Sequence, residues 1–214
     1  MRALVFDLDG TLVDSRADIV SSLEAALERL SAPSVLGPEA LGALVGRPLG
    51  EMISAAAPSI DADGIEAAAA AYRDHYALHC RDQSRLYPGV DELLRSLPEG
   101  ILLGCATTKR PEQTRIVLEA FGLLDLFHAW RGTAPDMPYK PAPDLLHAIA
   151  RDLAVPPDEM WYVGDTPGDL LAARAAGAVG IWASWGYGAP EACLAAEPAH
   201  ALGSPADLLQ MLQP

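Results

Sequence analysis

Asp7 and Asp9 stand two apart where the apolar run Ala3-Leu4-Val5-Phe6 ends, and Gly10-Thr11 follows at once. Taken alone, Asp-Gly after a strand is a turn signal. The chain repeats the pattern, however, and the repeats carry complementary chemistry. Thr107-Thr108-Lys109 follows the apolar run Ile101–Ala106, Lys140-Pro141-Ala142-Pro143 precedes a helical pattern, and Gly164-Asp165-Thr166 with Asp169 follows Met160–Val163. Clustered carboxylates without nearby His or Cys favour a hard, oxygen-preferring cation, and Mg²⁺ keeps phosphate oxygens in its shell. A phosphate monoester brings about two negative charges of its own. Asp7, Asp165 and such an ester can share a site only with a divalent cation and a basic side chain. Lys140 supplies a compact point charge, and the Thr107 hydroxyl can donate to a phosphoryl oxygen.

These groups converge only if the elements that carry them are parallel strands. After the opening strand, Ser15 is placed to cap a helix bearing Ile19, Leu23, Leu27 and Leu30 on one face. Further helical patterns cover Pro38–Val45, Pro48–Ala57 and Asp63–Arg81, and no strand pattern falls between residues 16 and 84. The rhythm then alternates: helix Val90–Leu97, strand Ile101–Ala106, helix Pro111–Phe121, and a short strand near Ala129–Arg131. Helix Ala142–Leu153, strand Met160–Val163, helix Asp169–Ala176, strand Val179–Ala183 and helix Pro205–Leu212 complete it. Alternation of this kind predicts an α/β fold, a doubly wound parallel sheet with a Rossmann-like core of residues 1–15 and 85–214. Residues 16–84 are then an inserted helical domain. In an open parallel sheet ligands bind beyond the carboxyl ends of the strands, where each apolar run here releases its polar groups.

Composition narrows the partners. The 214 residues carry a formal net charge of −14, which disfavours nucleic acid. A small phosphorylated metabolite is compatible, because one cation reverses the field within a cleft. No apolar stretch is long enough to span a membrane and no basic-flanked leader opens the chain, so a cytoplasmic location is expected. Cys80, Cys105 and Cys193 have no paired spacing. Arginine is the usual cation, with Lys109 and Lys140 as the only two lysines.

Asp7-Leu8-Asp9-Gly10-Thr11-Leu12, Thr107, Lys140 and Gly164-Asp165-Thr166 with Asp169 resemble, in order, the four motifs of the haloacid dehalogenase-like hydrolases. The resemblance spans essentially the whole chain. Tyr87-Pro88-Gly89 and Trp185-Gly186-Tyr187-Gly188 are similar to the phosphoglycolate phosphatase branch. It implies an Mg²⁺-dependent phosphatase acting on a small phosphate monoester, with residues 16–84 as a helical cap that closes over the site. It further implies that Asp7 attacks phosphorus to give an aspartyl phosphate and that Asp9 is the acid and base. Mg²⁺ would rest on Asp7, the backbone carbonyl of Asp9, and Asp165, with Asp169 behind them. Thr107 and Lys140 would orient and neutralise the phosphoryl group, with Gly10, Thr108 and the cap residue Arg47 as further substrate contacts. Thr108 stands where the family often has Asn.

A sugar phosphomutase shares these motifs and is the alternative, although the insertion shows no evident cluster of polar residues for a phosphosugar. A dehalogenase usually lacks the second acid, Asp9. A phospho-acceptor signalling domain would have no helical insertion. His75 and His79 have a metal-compatible spacing, yet without the Glu of H-E-x-x-H they read as a polar helix face. Lys109 reads equally as a loop residue or a site residue, and Arg47 as a solvated side chain or an anion contact. Neither the alcohol nor the oligomeric state is specified by these residues.

Overall fold

Strand β1 (Ala3–Phe6) is buried along its whole length, as an apolar run at the centre of a parallel sheet must be. A computed structural model describes residues 1–212. After β1 come β2 (Val13–Asp14) and the helices α1 (Arg16–Arg29), α2 (Pro38–Gly42), α3 (Leu49–Ala56) and α4 (Ala62–His79). The chain continues through β3 (Arg85–Leu86), α5 (Val90–Arg95), β4 (Leu102–Thr107), α6 (Pro111–Ala120), β5 (Ala129–Gly132) and α7 (Asp144–Asp152). It closes with β6 (Met160–Gly164), α8 (Pro167–Ala176), β7 (Val179–Ala183), α9 (Pro190–Ala195), β8 (His200–Leu202) and α10 (Pro205–Leu212).

The chain divides into two compact units, Met1–Asp14 with Leu86–Pro214, and Ser15–Arg85. In the first, six strands form a sheet in the order β5-β4-β1-β6-β7-β8, and every pairing is parallel. The expected doubly wound α/β sheet is therefore present. From β1 the chain steps outward through β4 to β5, then crosses back to β6 on the other side and steps outward again. The reversal leaves the ends of β1, β4 and β6 side by side at the topological switch point. One face of the sheet is packed by α7 and α8, with Val5, Tyr162, Leu146, Ile149 and Ala173 in a single buried cluster.

Four elements have no counterpart in the pattern of the sequence, among them strands β2 and β3 of two residues each. Strand β8 is only three residues long and exposed along most of its length, too short for a period to register. Helix α9 has six residues. Helix α8 begins two residues earlier than expected, because Pro167 fits the first helical turn and Thr166 caps it.

In the second unit no strand is found between residues 16 and 84 among the described residues. Ile19, Leu23 and Leu27 of α1 are buried, as are Ala68, Ala69, Tyr72 and Tyr76 of α4, and the two helices pack on one another. Ser15 takes the N-cap position of α1, but its side chain does not make the capping bond. The strongest polar tie is Asp18, fully buried. Its carboxylate accepts from Gln83 N at 3.0 Å, Ser84 N at 2.8 Å and Ser84 Oγ at 2.6 Å, binding the start of the insertion to its end. Asp18→Ala strips these donors of their acceptor and should cost on the order of 3 kcal/mol in urea unfolding. A variant as stable as the wild type would show that the tie contributes nothing net.

Candidate active site

Asp7 is the first residue past β1, and its backbone N–H donates to Val163 O at 2.9 Å, which locks it beside the end of β6. Asp165 follows β6 directly, and Thr107 is the last residue of β4. Asp7, Thr107, Asp165 and Asp169 are all buried. One carboxylate oxygen from each of Asp7, Asp165 and Asp169 falls within a 4.8 Å span, the sole such metal-compatible group among the described residues. His75 and His79 are not in it. Their rings stack at 4.2 Å, and their Nδ1 atoms meet Ser22 Oγ and Asp82 Oδ2 at 3.0 and 2.8 Å.

Lys140 holds the acidic groups together. Its Nζ lies 3.2 Å from Asp7 Oδ1 and 2.5 Å from Asp169 Oδ1. It also donates to the Tyr162 hydroxyl at 3.0 Å, and that hydroxyl donates to Ala106 O at 2.8 Å. Burial alone would lower the Lys140 ammonium, but Asp169 and Asp7 outweigh it and hold its pKa well above the ordinary lysine range. Tyr162 sits within an apolar strand run, where an aromatic residue reads as core, so nothing in the sequence marks it as a site residue.

The other carboxylates are fixed by several elements. Asp165 Oδ1 accepts from Thr11 Oγ1 at 3.1 Å, and Oδ2 accepts from Tyr187 N at 2.7 Å. Trp185 Nε1 donates to Thr11 O at 3.0 Å, so Trp185-Gly186-Tyr187-Gly188 braces both the metal-type carboxylate and the first motif. Gly10, expected as a phosphate contact, has φ +81°, and a Cβ there would collide with the Asp165 carboxylate. Its N–H donates to Val13 O at 2.9 Å, so in this structure it shapes the turn. Asp169 caps α8: its Oδ2 accepts from Thr166 N at 2.9 Å and Thr166 Oγ1 at 2.6 Å. The T-x-x-D spacing that announces this box is legible in the sequence.

Lys109 reaches Asp9, with Nζ 3.0 Å from Oδ2 and both side chains about nine-tenths buried. Of the two readings open for Lys109, loop residue or site residue, this ion pair at the strand ends supports the second. Thr108 is partly buried beside it, while Arg47 is exposed in the turn between α2 and α3 of the second unit.

The charges do not balance within the protein. Asp7, Asp165 and Asp169 set three carboxylates against the single Lys140 ammonium. Burial, opposed by Lys140 and reinforced by Asp169 and Asp9, pushes Asp7 up to about 7. Asp165 is pushed well above the usual carboxylate range by burial and then by Asp169 and Asp7. Asp7 Oδ1 is buried without a hydrogen-bond donor aligned on it; the nearby ammonium is an ionic neighbour rather than a directed bond. An all-oxygen donor set with an unpaired buried oxygen and excess negative charge fits a divalent cation.

Comparison with known proteins gives the same chain a context. The haloacid dehalogenase-like hydrolase family matches residues 4–183. The phosphoglycolate phosphatase of Mannheimia succiniciproducens is 33% identical over 192 residues, covering 85% of this chain and 85% of that protein. The tyrosine-protein kinase PtkA of Mycobacterium tuberculosis is 35% identical over 187 residues, covering 86% of this chain and 62% of that protein. The crystal structure of a predicted phosphoglycolate phosphatase from Haemophilus somnus has a TM-score of 0.89 at 26% identity, covering 100% of this chain and 98% of that one. No helix among the described residues is long and apolar enough to cross a membrane.

The raised Asp7 carboxyl has a stability consequence. A folded-state pKa of about 7 against 3.8 unfolded means that the native state binds the proton more tightly. Its contribution to stability is therefore lost as pH rises from about 4 through about 7. In chelator at about pH 8, Asp7→Asn should melt several degrees above the wild type, and the gain should vanish near pH 4. A variant less stable than the wild type at both pH values would contradict this.

Proposed function

The chain belongs to the haloacid dehalogenase-like hydrolase family and is a phosphatase, and from that premise we propose a mechanism through an aspartyl phosphate on Asp7. We infer further that the substrate is a small phosphate monoester of the phosphoglycolate type and that the reaction is Mg²⁺-dependent. The observation that carries this reading is the buried Asp7 oxygen, flanked by Lys140 but accepting no directed hydrogen bond.

In this reading Asp7 attacks phosphorus, the bond from phosphorus to the ester oxygen breaks, and Asp9 gives its proton to the departing alkoxide. Asp9 then takes a proton from water as that water attacks the phosphorus of the aspartyl phosphate. The bond to Asp7 breaks, inorganic phosphate leaves, and Asp7 returns as a carboxylate. Lys140, held by Asp169 and Tyr162, neutralises the phosphoryl oxygens, and Thr107 donates its hydroxyl to them. Asp7, Asp165 and the Asp9 carbonyl would hold Mg²⁺, which when bound offsets phosphoryl charge and orients the in-line attack. Residues 16–84 would act as the cap that excludes water from the aspartyl phosphate. Thr108, Gly10 and Arg47 remain proposed substrate contacts, Gly10 through the turn that it shapes.

EDTA should abolish phosphate release from a panel of phosphorylated metabolites. Mg²⁺ should restore it better than Ca²⁺, whose larger, looser shell misplaces the attack. The phosphate should appear as inorganic phosphate, and Asp7→Asn should release none. Full activity after rigorous chelation would remove the metal from the mechanism, and phosphate retained on a protein tyrosine would favour transfer over hydrolysis.

A further inference from the structure

We propose that Lys109 determines specificity by binding an anionic group on the leaving alcohol, so that the enzyme favours phosphate esters with a carboxylate beside the ester oxygen. The inference rests on the phosphatase reading and adds a residue to it. Asp9 is the group that meets the leaving oxygen in that reading. A cation 3.0 Å from its carboxylate therefore lies on the leaving-group side of phosphorus. Lys140 lies on the other side, against Asp7 and Asp169. The two lysines of an arginine-rich chain thus divide the site between them.

Lys109 is held in place rather than trailing in solvent. Thr133 N donates to its carbonyl at 2.8 Å, and its own N–H reaches Thr107 Oγ1 at 3.5 Å. A Cβ at Gly132 would collide with the Lys109 carbonyl, so only glycine lets β5 come this close. The ion pair is about nine-tenths buried, and salt screens such a pair weakly. Once Asp9 has given up its proton, its carboxylate would repel an alcohol carrying its own negative charge; an ammonium between them turns that repulsion into a bridge. With three N–H donors, an ammonium can hold Asp9 and an incoming carboxylate together. A neutral alcohol gains nothing from the arrangement.

The test compares 2-phosphoglycolate with its uncharged counterpart, 2-hydroxyethyl phosphate, in the full chain with Mg²⁺. The wild type should prefer the carboxylate ester. Lys109→Gln should raise KM for phosphoglycolate roughly 10- to 100-fold relative to KM for the hydroxyethyl ester, the loss expected for a charge-assisted bond. Its kcat should change by a shared factor for both esters, because Asp9 loses its ionic neighbour. Lys109→Arg should recover part of the KM preference. A fall in kcat with an unchanged KM ratio would overturn the proposal and leave Lys109 as a positioning residue for Asp9. A KM ratio that shifts in Arg47→Ala and not in Lys109→Gln would assign the anion to Arg47 instead. A wild type that prefers the hydroxyethyl ester would overturn the inference while the phosphatase reading stands. A wild type that releases phosphate from no ester would overturn both.

Discussion

The arrangement depends on one ammonium buried among carboxylates. Lys140 touches Asp7 from the end of β1, Asp169 from the first turn of α8, and the hydroxyl of Tyr162 on β6. Tyr162 in turn donates to the carbonyl of Ala106 on β4. A single side chain thereby joins the three central strands and the helix behind them. Ion pairs this deep are costly to assemble and more costly to break one-sidedly. Here the cost is offset by several directed bonds, and the negative charge left over is what a phosphatase site uses.

The same economy of positions explains the braces around it. Asp169 gives one oxygen to Lys140 and the other to the cap of α8. Helix geometry therefore sets where the lysine is held. Asp165 is gripped by the hydroxyl of Thr11 and the amide of Tyr187, while Trp185 ties that loop back to the carbonyl of Thr11. Gly10 is needed because the Asp165 carboxylate lies where its side chain would be, and Gly186 because Asp165 Cβ and the Gly10 carbonyl lie where its own would be. Each carboxylate is aimed before any ligand arrives, which is the condition for electrostatic catalysis without reorganisation.

Much of this was legible in the sequence, for a physical reason. Central parallel strands are uninterrupted apolar runs, so the residues that end them stand out, and Asp7, Thr107 and Asp165 were found that way. Lys140 was legible because lysine is scarce in this chain. The supporting contacts were less so. Tyr162 looks like core until its hydroxyl is placed, and the amide of Tyr187 carries no signature in its side chain. Lys109 could be read either way, since its direction depends on how β5 approaches the loop. Strands β2, β3 and β8 and helix α9 carry no signal because two, two, three and six residues are too few to show a period.

All of the proposed chemistry turns on Asp7 carrying the phosphoryl group. Its most direct test mixes radiolabelled substrate with Asp9→Asn protein and Mg²⁺, quenches in acid, and maps the label by peptide. Asp9→Asn slows both proton-dependent steps, typically about 10²–10⁴-fold. With a good leaving group such as p-nitrophenol the first step suffers less, so the intermediate should accumulate. An acid-stable, alkali-labile label should appear on the peptide that contains Asp7. Label on any other residue, or turnover of that ester with no protein-bound label under these conditions, would contradict it.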